Sequence, residues 1–191
     1  MHSLKSLLIV FAMFAIASCS QESKKAESTV SKEDYILTEY PGGGGLQKAV
    51  KKDKQLKVVE EGDMLNGKKE GTWVTYFVNS GLISSVTSYK DGKKHGLMLK
   101  ADETGGITEK MFYINDQLEG QRLVYNRTRV KEEANYKNGK LEGPRKLYYD
   151  NAKLQEEGVF KNGKREGKAI WYDQEGNKTI EYTYKDGEKV E

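Results

Sequence analysis

The chain has 191 residues, which suits one domain or one repeat array with a tail. Charged residues make up 32% yet net only +3, and losing Lys5 with an N-terminal segment would leave about +2. That balance argues against a nucleic-acid partner, and the pI of 8.7 adds little because a few charges move it far near neutrality. Hydrophobic residues are 36%, many of them among the first eighteen, so a thick globular core is not expected. A sheet or solenoid whose units bury one face on a neighbour fits better.

The N-terminus reads MHSLKSLLIVFAMFAIASC. A basic start at Lys5, an apolar run from Leu7 to Ala15 and small residues before Cys19 match an export signal over residues 1–18. The run is shorter than the roughly 20 residues of a membrane-spanning helix. Ile16-Ala17-Ser18-Cys19 resembles the bacterial lipobox, which implies cleavage before Cys19 and attachment of acyl chains such as palmitate to that residue. Two or three chains at about 0.8 kcal/mol per buried CH₂ would hold the protein on a membrane. Ser20 follows the cysteine where Asp would mark inner-membrane retention, which points to the outer membrane of a bacterial envelope. From Cys19 to residue 39 the chain reads as a flexible tether, polar and aromatic-free over Ser20–Asp34.

Residues 40–191 carry an internal repeat. NGKKEG ends at Gly71, DGKKHG at Gly96, NDQLEG at Gly120, NGKLEG at Gly143 and NGKREG at Gly167, and DGEKVE ends the chain at Glu191. Subtracting positions gives spacings of 25, 24, 23, 24 and 24. Seven residues before each end stand Met64, Tyr89, Tyr113, Tyr136, Phe160 and Tyr184, and five after it stand Tyr76, Ala101, Tyr125, Tyr148 and Tyr172. Two turns per period leave segments of about eight residues, a strand length. Asn-Gly and Asp-Gly predict type I′ turns, which need positive φ at both central residues. A second turn falls near Asn79-Ser80-Gly81, Thr104-Gly105-Gly106, Asp150-Asn151-Ala152 and Asp173–Gly176.

The expected fold is therefore all-β, an antiparallel meander of hairpin units. The terminal glycines lie away from the turn apex, and the expectation is that a ring of the adjacent strand lies over each bare backbone. With a strict two-residue turn at Asn162-Gly163, Phe160 and Trp171 share a face and Tyr172 points away; a one-residue bulge would reverse this. Tyr40–Leu46 reads as a degenerate second turn, and Lys51–Gln55 as an insertion lengthening a loop.

The motif Tyr/Phe-Lys-Asn/Asp-Gly-Lys-x-x-Gly, with Tyr five residues later, resembles the MORN repeat variant, specifically the YwqK-family antitoxins. That resemblance implies a protein-binding or scaffolding module with no agreed catalytic residues. The regularity lapses at Ala101, Asp116, Ala152 and Glu191.

Enzymatic chemistry finds little support. Gly42–Gly45 lacks the Lys-Ser/Thr of a phosphate loop. His95 sits in a turn-like KKHG, and without it no Ser–His–Asp set exists. The lone cysteine allows no intramolecular disulfide, and no metal or other cofactor is expected. Glu70, Glu119, Glu142 and Glu166 recur at one phase and read as a solvated row paired with lysines. The expectation is a non-enzymatic envelope lipoprotein whose lipid attachment is Cys19. Its candidate contacts with a protein partner are Tyr125, Tyr148, Trp171 and Tyr172. The alternatives are an antitoxin or immunity protein that covers a toxin, and a surface protein whose rings stack on glycans.

Overall fold

A computed structural model describes residues 34–190. The expected signal segment, Cys19 and most of the tether lie outside the described residues. The chain forms one antiparallel sheet of fifteen strands that does not close. In order these are β1 (Ile36–Glu39), β2 (Leu46–Lys52), β3 (Val58–Leu65), β4 (Lys68–Tyr76), β5 (Ile83–Lys90), β6 (Lys93–Ala101), β7 (Ile107–Ile114) and β8 (Gln117–Leu118). They continue as β9 (Gly120–Asn126), β10 (Arg129–Lys137), β11 (Lys140–Tyr148), β12 (Leu154–Lys161), β13 (Lys164–Tyr172), β14 (Lys178–Lys185) and β15 (Glu188–Lys189). Each strand pairs with its sequence neighbours, except that β7 passes its pairing from the short β8 to β9.

The turn chemistry places the hairpins. Asn162 and Gly163 have φ of 51° and 85°, both in the left-handed region a type I′ turn needs. The irregular third unit reaches the same geometry with Asn115 and Asp116, at 50° and 66°. At the opposite end of the sheet an Asp side chain organises the loop: Asp102 Oδ1 accepts the N–H groups of Thr104 and Gly106, at 2.9 and 3.0 Å.

Three expectations need correction. The sheet begins at Ile36 rather than residue 40, because Ile36–Glu39 pairs with Gln47–Val50 and so the last part of the expected tether is an edge strand. Lys51–Gln55 is no insertion: Asp53 N–H bonds the Lys57 carbonyl at 2.9 Å, as Asp102 does Gly106 and Asp173 does Asn177. Tyr40–Leu46 joins β1 to β2 and thus lies at the Asn-Gly end, since successive connections of a meander alternate between ends.

The terminal glycines also act differently from expectation. Arg165 pairs with Phe160 and Ala169 with Gly158, so Glu166, Gly167 and Lys168 together oppose Val159. Such a bulge needs left-handed backbone, and Gly167 has φ +72°. A Cβ built there would meet nothing within 4 Å, so no ring presses on it. The aromatic expected nearby is present as the paired residue, Tyr184, across the strand boundary. Two extra residues per bulge preserve side-chain alternation. Phe160 and Trp171 accordingly share a face, and Tyr172 takes the other.

Among the described residues every buried apolar side chain falls on one face: Ala49, Met64, Trp73, Met111, Ala134, Phe160 and Ala169. Tyr35, just before β1, stacks edge-on against Trp73 of β4 with ring centroids 5.5 Å apart. Three strand spacings measure about 14 Å, so the two side chains lean toward each other across this face. Trp73 lies directly on Gly62, where a Cβ would sit 2.4 Å from the indole. Burying that ring contributes roughly 2–3 kcal/mol.

Candidate partner-binding surface

The inner face pairs its charged side chains with one another, although Arg165 Nη1 is buried without a hydrogen-bond partner among the described residues. Lys69 Nζ lies 3.9 Å from the Trp73 ring centroid and 5.3 and 5.8 Å from those of Tyr89 and Tyr35, while bonding to Glu60. Four units later Arg165 occupies the same phase, 5.2, 5.4 and 5.6 Å from Phe160, Trp171 and Tyr184. Between these two cages runs a ladder of alternating charge. Lys100 meets Glu109 at 3.0 Å, Arg122 bridges Glu109 and Glu132 at 2.8 and 3.1 Å, and Arg145 bridges Glu132 and Glu156 at 2.6 and 3.8 Å. Glu156 also binds Arg165 and accepts the Trp171 Nε1–H at 3.1 Å. Single exposed ion pairs contribute at most about 1 kcal/mol; here each inner carboxylate serves two or more donors.

The repeated Glu of each hairpin is not a solvated row facing lysines. Glu142 Oε2 accepts the N–H of Asn162 at 2.7 Å, and Glu70, Glu119 and Glu166 do the same for Asp91, Asn138 and Asp186 at 2.9, 2.8 and 3.0 Å. Each carboxylate thus caps the turn of the next unit. Beside it the turn glycine N–H bonds back to the preceding unit, as Gly163 does to the Leu141 carbonyl at 2.8 Å. His95 replaces the Glu in the second unit and lies near Asn115, 3.4 Å away.

The four residues expected to form one surface are divided. Trp171 is on the inner face, tied to Glu156 and stacked 5.8 Å from Tyr182. Tyr125, Tyr148 and Tyr172 are on the outer face, all half-buried. The outer tyrosines reach back to a Glu of the preceding strand: Tyr76 donates to Glu61 and Tyr172 to Glu157, each at 2.6 Å. The bond to Glu61 pushes the Tyr76 hydroxyl up to about 12 and holds the Glu61 carboxyl below its ordinary range. Burial and the nearby Glu133 raise Tyr148 in the same way.

This pattern fails in the middle of the array. Ala101 replaces the second-unit tyrosine, and Val86 replaces its Glu. Removing that ring and its polar partner opens an apolar groove over β5, β6 and β7. One part, about 360 Å³, is lined by Leu82, Ile83, Val86, Leu99, Ala101 and Ile107. Leu99 and Ile107 continue into a second part of about 500 Å³ that ends on Lys110, Tyr125 and Arg127. Leu97 and Phe112, paired across β6 and β7, extend the same face, and Leu82, Ile83, Leu97, Ile107, Phe112 and Ile114 are all at least 38% exposed. Only Tyr125 of the sequence-predicted residues touches this groove. The readable signal for the others was the loss of tyrosine at Ala101, which marks the position where the row is broken.

An open sheet of regular hairpins with an interrupted outer row defines a repeat protein with one differentiated patch. The family model described as MORN repeat variant matches residues 141–162 and 165–186, two successive copies at the regular C-terminal end. No curated protein matches the chain at a significant level.

Proposed function

We propose that this is a non-enzymatic, protein-binding lipoprotein of a bacterial envelope, anchored through Cys19 and meeting its partner at the outer-face groove. The observation that carries the binding reading is the contiguous exposed apolar surface over β5 to β7. Soluble proteins rarely leave such a surface uncovered unless something docks on it. The MORN repeat variant in residues 141–186 is consistent with a protein-binding module. The anchor rests on the lipobox-like Ile16–Cys19 of the sequence.

Photo-cross-linking in the cells that make the protein tests the surface. Ile107 and Val159 are outer-face residues of nearly equal exposure, 47% and 45%. A photoreactive residue at Ile107 should give a discrete protein adduct, and one at Val159 should not. Equal labelling, or none at Ile107, would defeat the reading. Cys19→Ala should release the protein from membranes, and unchanged retention would remove the anchor. An antitoxin role is the special case of a toxin partner, distinguished by growth arrest when this gene alone is deleted.

A further inference from the structure

Ten residues before the end of each unit stand Glu61, Val86, Lys110, Glu133, Glu157 and Glu181. Glu61 and Glu157 each accept an outer tyrosine hydroxyl, and Glu133 lies near Tyr148. The third unit keeps its tyrosine, Tyr125, in unchanged register. Lys110 pairs with Leu123 just as Glu61 pairs with Val74 and Glu157 with Ile170. A cation therefore stands where four of the six units supply a carboxylate. Among the described residues neither Lys110 nor the Tyr125 hydroxyl has a hydrogen-bond or ion-pair partner. The one carboxylate in the groove wall, Asp102, is engaged by its own loop through Thr104 and Gly106.

We infer that the groove takes an acidic–apolar segment of a protein partner, whose Asp or Glu carboxylate sits between Lys110 and Tyr125 while a neighbouring aliphatic or aromatic side chain covers Leu99 and Ile107. This rests on the protein-binding reading and names the chemistry of the partner. Charge complementarity selects the occupant. A basic segment would face Lys110 and Arg127, and a wholly apolar one would strip water from Lys110 without replacing its hydrogen bonds. A carboxylate supplied from outside completes the arrangement that the chain completes for itself at Tyr76 and Tyr172.

The test is a selection of phage-displayed random peptides on the purified full-length protein, with the enriched peptides then compared on its Lys110→Glu variant. That variant restores the Tyr–Glu pairing of other units, so its fold is preserved, and an unchanged melting temperature verifies this. Enriched peptides should carry Asp or Glu beside Leu, Ile, Phe or Trp. A synthetic peptide of an enriched sequence should bind Lys110→Glu at least about tenfold more weakly, and its Asn/Gln isostere should lose a similar factor on the native protein. Tyr125→Phe should weaken binding about threefold, the size of one modest hydrogen bond. Enriched sequences without acidic residues, affinity indifferent to Lys110→Glu, or no enrichment would overturn the inference. If Ile107 still captures a protein in cells under those outcomes, the partner chemistry alone falls. If it captures nothing, the docking reading falls with it.

Discussion

At the scale of single residues, the outer tyrosines are polar links as much as apolar bodies. Tyr76 stands at about 12 against an ordinary 10.0, so its neutral form is the one the fold holds. Its contribution is complete below pH 10 and is lost as pH rises through 12. Glu61 works in the opposite sense: its depressed carboxyl contributes above its ordinary 4.5 and loses that contribution as pH falls below it. The wild type should therefore lose melting temperature between pH 10 and 12. Tyr76→Phe should start lower at neutral pH and lose less over that interval. Equal losses in thermal scans of the two proteins would assign the alkaline transition to other groups.

At the scale of elements, each unit is a hairpin plus a bulge, and two glycines serve these parts differently. Gly167 supplies left-handed backbone in open space. Gly167→Ala should therefore cost only the conformational penalty, about 1–2 kcal/mol. Gly62 supplies room for the Trp73 ring, and a methyl there would overlap the indole. Gly62→Ala should cost about 1–3 kcal/mol through overpacking, and Trp73→Leu in the same chain should recover part of it. Denaturant unfolding of the singles and the double decides this; strict additivity would show that the ring does not set the need for Gly62. The same contrast explains what the sequence made legible. The Asn-Gly turns and the 24-residue period follow from local backbone preferences, so meander and strand lengths could be read directly. Faces could not, because they depend on the parity of a bulge that no residue type announces. The reach of Glu142 to Asn162 was equally hidden, since it joins residues brought together only by stacking of units. For the groove, Ala101 was visible as an irregularity, but its meaning required Val86 and Ile107 to be placed beside it.

At the scale of the molecule, a single-layer array is only as continuous as its neighbouring pairs. The thinnest of the bulged seams is β7 against β8 and β9, with four register pairs where β3–β4, β5–β6, β10–β11 and β12–β13 each have five. Arg122 on β9 staples this seam by binding Glu109 on β7 and Glu132 on β10. Native-state hydrogen exchange should show Lys110–Phe112 and Leu123–Val124 opening at lower free energy than the paired amides of β4 and β5. Uniform opening energies along the array would argue for a single cooperative unit instead. The candidate groove straddles this seam, with Lys110 on one side and Tyr125 on the other. A partner seated there would clamp two halves of the array, so binding should slow exchange on both strands together.

The capping of four turns by the Glu of the unit before makes the array a ruler. One 24-residue period advances two strand spacings, about 10 Å, and brings its own turn, bulge and cap. Duplicating residues 144–167 would lengthen the molecule by one graduation while leaving the groove untouched. A partner held only in the groove, from β5 to β9, would bind the lengthened protein as before. One that also touches β13 or β14 would find its second foothold displaced by a full graduation, so the footprint of an unidentified partner can be measured by counting hairpins.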